Sequence, residues 1–149
     1  MSINGLAEFD ATIQETNALL KDIEAELNWE GERENAYKAL KAVLHTLRDR
    51  LTVEEAADFA AQLPVLVRGI YYAEWKPEKT PRKMHRSEFL EEIAKEMGVF
   101  PVGAADEMLV EDIVRGVLLS LRRYISTGEL EDVADMMPED IKPIIRDII

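Results

Sequence analysis

The sequence predicts an all-α protein: one helical-bundle domain of about eight helices made of two similar helical repeats. Three observations predict it. Apolar residues recur at steps of three and four along most of the chain. Capping residues and prolines stand where those runs start and stop. One long stretch recurs at a constant offset with its punctuation intact. At 149 residues the chain can bury roughly 70% of the surface its unfolded form would expose, so neither a disulfide nor a metal is needed to hold it.

The first helix is predicted from about Asp10 to Leu27. Ile13, Leu20, Ile23 and Leu27 share one stripe with Thr16 between them, and Asn28 can end it. A second helix, about Glu32 to Leu51, carries the clearest amphipathic pattern in Tyr37, Leu40, Leu44, Leu47 and Leu51. Thr52 stands three residues before Glu55, the spacing of a capping box in which hydroxyl and carboxylate each take one orphan amide, so a short third helix starts there. Pro64 suits the first turn of a fourth helix, where its missing N–H is not needed, and Val67, Ile70 and Tyr71 continue the buried face to about Trp75. Lys76 to Arg86 holds two prolines and no apolar period, so it reads as a connector. Ser87 is expected to cap the next helix, in which Leu90, Ile93 and Met97 recur before Gly98 and Pro101 break the chain. A long helix from about Ala105 to Ile125 follows.

The segment Val43 to Ile70 matches Val117 to Ile144 without a gap, at a shift of 74 residues, and nine of the 28 pairs are identical. Chance likeness between amphipathic helices seldom keeps the punctuation, yet Ser126 with Glu129 rebuilds the capping box and Pro138 rebuilds the proline of the helix start. Pro143 departs from the pattern, replacing the aligned Gly69, and predicts a kink or restart in the last helix. The expected organisation is one domain over 1–149, with a first repeat at about 10–75, a connector at about 76–86 and a second repeat at about 87–149.

The run Ala36 to Leu51, the run Ala60 to Tyr72 and the segment Gly128 to Val133 resemble the bacterial family known as domain of unknown function 2267, and the likeness covers nearly the whole chain. The resemblance implies an all-helical duplicated fold. It implies no activity and no catalytic residues.

Composition narrows the function classes. Aspartate and glutamate outnumber lysine and arginine by 30 to 18, and a net charge of −12 repels phosphate backbones and anionic lipid, so nucleic-acid binding is disfavoured. The longest uncharged stretch, Met97 to Ala105, is too short to span a bilayer, and Met1 to Glu8 has neither a basic nor an apolar signal region. No cysteine is present, which suits a reducing, cytoplasmic setting.

No catalytic constellation is expected, and no cofactor or metal. His45 and His85 lack helical metal-ligand partners, the four serines lack a nucleophile elbow, and Gly98 with Gly103 is followed by Ala104-Ala105 in place of the lysine and hydroxyl of a phosphate loop. His45 and Asp49 have the i, i+4 spacing of a surface hydrogen-bonded pair. Arg48 and Arg122 recur with Asp58 and Asp132, and each arginine is expected to brace its repeat by forking onto a carboxylate of the next helix. The sharper reading of the two arginines is a pair of related anion pockets.

The most unusual chemistry lies around the connector. Ala73 to Ser87 carries five cations and two anions, a local charge of +3 that leaves −15 on the remainder. Tyr72, Trp75, Lys79, Arg82, Lys83 and Arg86 form the candidate partner or anion surface, either clasped onto the acidic body with Trp75 as anchor or open to an external partner. The function expected is a non-enzymatic interaction module that binds a protein partner or itself. The alternative is a small-molecule binder or enzyme with a pocket between the repeats.

Overall fold

The structure, a computed structural model, describes residues 2–98 and 104–149, with side chains from 109 onward in the second span. The described residues form eight α-helices and no strand: α1 (Ala7–Leu27), α2 (Arg33–Asp49), α3 (Val53–Ala61), α4 (Val65–Tyr72), α5 (Arg86–Met97), α6 (Ala104–Leu121), α7 (Thr127–Asp135) and α8 (Lys142–Arg146). A single 3-10 turn, Pro77–Lys79, interrupts the connector. The expected break at Pro101 and the Gly103 of the phosphate-loop comparison lie outside the described residues.

The bundle is organised around α2, which packs against α1, α4, α5 and α6. Leu40, Leu44 and Leu47 of its apolar stripe are buried as the period predicts. The C-terminal half goes further, because the seven consecutive residues Ala42 to Arg48 are all buried. A helix enclosed on every side takes its polar residues inside with it, and His45, Thr46 and Arg48 are among them. Tyr37 departs from the expected stripe: it lies at the edge of the bundle, 38% exposed.

One continuous core links both halves, with Leu19 and Ile23 of α1, Phe59 of α3, Tyr71 of α4, Leu90 and Ile93 of α5 and Leu118 of α6 among its members. Phe59 and Tyr71 stack with centroids 5.6 Å apart. The Tyr71 hydroxyl is satisfied inside that core by donating to the Ala56 carbonyl at 2.9 Å. Helices α1 and α6 approach so closely at Gly116 that a Cβ there would stand 2.6 Å from Leu27 Cδ2.

Several helix ends follow the sequence. Asn28 closes α1 in the left-handed region at φ 57°. Thr52 and Ser126 cap α3 and α7, each hydroxyl accepting from the amide three residues on, at 3.2 and 3.1 Å. Pro143 restarts the chain as predicted, standing in the first turn of the five-residue α8.

Other ends differ. Residue 85, not Ser87, occupies the cap position of α5. His85 takes the extended conformation there, and its amide donates to Glu88 Oε1 at 3.5 Å. Ser87 falls inside the first turn. Pro64 is the cap residue of α4 rather than part of its first turn, and Pro138 opens a turn that reaches Ile141 before α8 begins. Helix α4 stops at Tyr72, short of Trp75, and α6 stops at Leu121, after which single turns carry the chain to Ile125.

Both predicted capping boxes are half formed, each with the hydroxyl bond and without the returning carboxylate bond among the described residues, and in the second the reason is visible. Gln62 at the end of α3 accepts from the Ser126 amide at 2.8 Å, taking the donor that Glu129 would have used. Glu129 is left buried at 9% exposure with Oε1 lacking any hydrogen-bond partner. Burial, with Glu55 across the α3–α7 seam, Asp132 on the same helix and Asp58 across the seam, pushes its carboxyl up to about 7. Glu55 on the other side is raised too, by burial and by Asp58, Asp132 and Glu54.

A raised folded-state pKa means the native state holds this proton more tightly than the unfolded chain. The associated stability is complete below the ordinary carboxyl value of 4.5 and is lost as pH rises through about 7. Glu129→Gln is therefore expected to stabilise the protein more at pH 8 than at pH 5, by about 2–3 kcal/mol in urea unfolding. An equal effect at both pH values would show that the carboxyl is not held protonated.

Candidate functional site

Three consecutive positions at the end of α2 organise the region where the connector leaves the bundle. The Arg48 side chain is 4% exposed: Nε donates to Asp49 Oδ1 at 2.9 Å, and Nη1 donates to the carbonyls of Tyr71 and Ala73 at 2.7 and 2.9 Å. Those carbonyls close α4, where the last C=O groups lack helical partners and the macrodipole favours a cation. The Asp49 carbonyl then accepts from the Arg82 amide at 2.7 Å. Arg50 Nη1 and Nη2 donate to the Arg82 and Met136 carbonyls at 2.5 and 3.2 Å, which ties connector and α7 to the same helix end.

The expected carboxylate braces are not formed. Asp58 and Asp132 stay exposed on α3 and α7, Arg48 is spent on backbone carbonyls and Asp49, and the exposed Arg122 side chain makes no hydrogen bond or ion pair among the described residues. Arg48 leaves its Nη2 group without a hydrogen bond among the described residues. Its recurrence at position 122 is a recurrence of residue type without a recurrence of contact.

His45 is likewise not the surface partner of Asp49. It faces inward one turn before Arg48, with Nε2 2.7 Å from the Ile70 carbonyl and Nδ1 2.6 Å from Glu96 Oε1 of α5. A carbonyl only accepts, so Nε2 carries a proton, and the short contact at Nδ1 needs a second proton between imidazole and carboxylate. His45 therefore joins α2, α4 and α5 through one ring.

Between α2, the connector and α5 lies a cleft of about 650 Å³. Its floor is α2, from His45 to Asp49. One wall is the connector, with Glu74, Lys76, Lys79 and Arg82, and the other is α5, with Glu92, Lys95 and Glu96. Glu74 occupies the left-handed region at φ 64°, a conformation that costs a non-glycine residue roughly 1–2 kcal/mol and turns the chain sharply out of α4.

The connector itself is divided. Met84 is buried in the core, Arg82 reaches Glu92 at 3.7 Å, and Arg86 pairs with Glu111 while its amide donates to Asp140 at 3.0 Å. Trp75 packs half-buried against the core beside Tyr72, ring centroids 5.2 Å apart, with its indole N–H buried and unpartnered. Lys76, Lys79 and Lys83 are exposed and make no ion pair among the described residues. Lys76, Lys95 and the His45–Glu96 pair had not been singled out with the candidate surface. No sequence spacing announces a pair 51 residues apart.

A second, apolar depression of about 480 Å³ lies between α1, α2 and α4, where Tyr37, Val65 and Leu66 are exposed. Among the described residues no group of three or more histidines or carboxylates is placed to hold a metal ion, and no helix is long and apolar enough to cross a membrane.

Arg82 and Arg86 therefore clasp, while Lys79 and Lys83 do not. Arg82→Ser with Arg86→Ser is expected to lower stability by about 1–2 kcal/mol in denaturant unfolding, since Arg86 joins a part-buried network. Lys79→Ser with Lys83→Ser should change it by less than about 0.5 kcal/mol. Equal losses from the two pairs would mean that the whole connector is an internal clasp.

A family model described as "Uncharacterized conserved protein (DUF2267)" matches residues 16–144 of this chain. No curated protein matches it.

Proposed function

The chain belongs to the DUF2267 family, and from its own residues we propose that it is a non-enzymatic protein-interaction module of the bacterial cytosol which docks an acidic segment of a partner at the connector cleft. The observation that carries this reading is a lysine trio, Lys76 and Lys79, which line the cleft, and Lys83 further along the connector, all exposed and without an ion pair among the described residues of a chain with 30 acidic residues. Their neighbours Arg82 and Arg86 do find internal acids. The cations that remain outward are available to an external carboxylate.

The global charge of −12 does not prevent this. At physiological ionic strength the screening length is about 8 Å, so a ligand at the cleft responds to the local excess of cations more than to acids on distant faces. Two similar helical repeats, about 10–75 and 87–149, support a scaffold role. Equivalent hydroxyls, Thr52 and Ser126, cap the nine-residue helices α3 and α7 by the same bond.

A second reading, a small-molecule binder or enzyme, draws support from the cleft's position between the two repeats and the polar groups that converge in it. Isothermal titration with an acetyl-hexaglutamate amide and, separately, with inorganic phosphate distinguishes the two. Docking predicts saturable, salt-sensitive peptide binding that falls at least about tenfold in the Lys76→Ser, Lys79→Ser, Lys83→Ser triple variant, with its melting temperature unchanged. Binding of phosphate without the peptide favours the second reading, and binding of neither overturns both.

A further inference from the structure

The His45–Glu96 contact places one of the chain's own carboxylates at the floor of this cleft, and its chemistry is that of a ligand rather than a brace. The two partners are held very differently. His45 retains only 7% side-chain exposure and is fixed from behind by the Ile70 carbonyl, whereas Glu96 retains 31% and makes no other hydrogen bond among the described residues. Glu96 also lies in the last turn of α5, one residue before Met97 and its glycine cap at Gly98, where a carboxylate opposes the helix macrodipole. Its own helix disfavours the charge that His45 attracts.

Resting on the docking reading above, we infer that His45 Nδ1 is the seat for a carboxylate of the partner's acidic segment, and that Glu96 is a built-in occupant which the incoming carboxylate displaces. The exchange is balanced. Nε2 keeps its proton on the Ile70 carbonyl, the second proton stays at Nδ1, and one carboxylate replaces another there, so no net proton is taken up or released. Lys76, Lys79 and Lys95 around the mouth attract the incoming group, and the released Glu96 swings to solvent beside Lys95.

An occupied seat lowers apparent affinity by the fraction of time it is filled. Emptying it by Glu96→Ala is expected to tighten binding of the acetyl-hexaglutamate amide by about fivefold. Glu92→Ala, one turn earlier on the same helix and lining the same cleft, removes an equal charge and should tighten binding by less than about twofold. The imidazole resonances of His45, followed by NMR during the same titrations, should move in both the wild type and Glu96→Ala. His45 itself is left unsubstituted because it also holds α4.

Equal gains from Glu92→Ala and Glu96→Ala, or peptide binding that leaves the His45 resonances still, would overturn the seat while sparing the docking reading. Absence of peptide binding to every form would overturn the docking reading and the seat with it.

Discussion

The structure depends most on the pair of buried cationic-type side chains that α2 inserts beneath the end of α4. A helix ends with carbonyls that have no helical partner, and at the end of α4 the Tyr71 carbonyl is buried together with its Arg48 donor. His45 and Arg48, one turn apart on α2, supply the donors to Ile70, Tyr71 and Ala73. A buried guanidinium is costly to leave unpaired, with losses of about 3–5 kcal/mol when a partner is removed. Carbonyl groups and charge therefore need each other, and the point at which the connector departs is set by their meeting. The cleft, its lysine rim and the histidine at its floor all follow from that departure point.

The same device recurs and explains how an acidic protein uses its arginines. Arg68 folds back onto the carbonyls of Ala60 and Leu63 at the end of α3, both at 3.0 Å. Arg50 reaches the Met136 carbonyl at the end of α7, and burial pulls its pKa below the ordinary arginine value without discharging it. Arginine suits these ends because one planar group can address several carbonyls at once. With Arg48, Arg50 and Arg68 committed to backbone carbonyls and Arg82 and Arg86 to carboxylates, Lys76 and Lys79 are the cations of the connector wall that stay without an ion pair among the described residues. The seam between α3 and α7 shows the opposite case, where Glu129 meets only acids and has lost its amide to Gln62.

What the sequence made legible was local. The steps of three and four through Leu40, Leu44 and Leu47 located α2, and Thr52 and Ser126 located the starts of α3 and α7, because period and capping act within a turn or two. The cap of α5 was misplaced by two residues, since Ser87 fits the residue preference while the backbone turns at His85. The partners of His45, Arg48 and Gln62 were beyond reach for a different reason. Two of the three address backbone groups alone or chiefly, and every residue carries those, so no side-chain pattern marks them in advance. The recurrence of Arg48 at Arg122 suggested matching braces, but contact depends on what the facing helix end presents. Position 45, a histidine facing α4 and α5, falls opposite Leu119 when the sequence is shifted by 74 residues.

Arg48 holds α4 and the connector in place together. Replacing it by methionine keeps much of the side-chain volume while removing every donor, and amide hydrogen exchange reads the consequence residue by residue. The Arg82 amide, bonded to Asp49, and the last turn of α4 are expected to lose protection by at least about tenfold more than amides in the middle of α1 and α6. A uniform loss across the bundle, or unchanged protection at Arg82 and α4, would contradict the account.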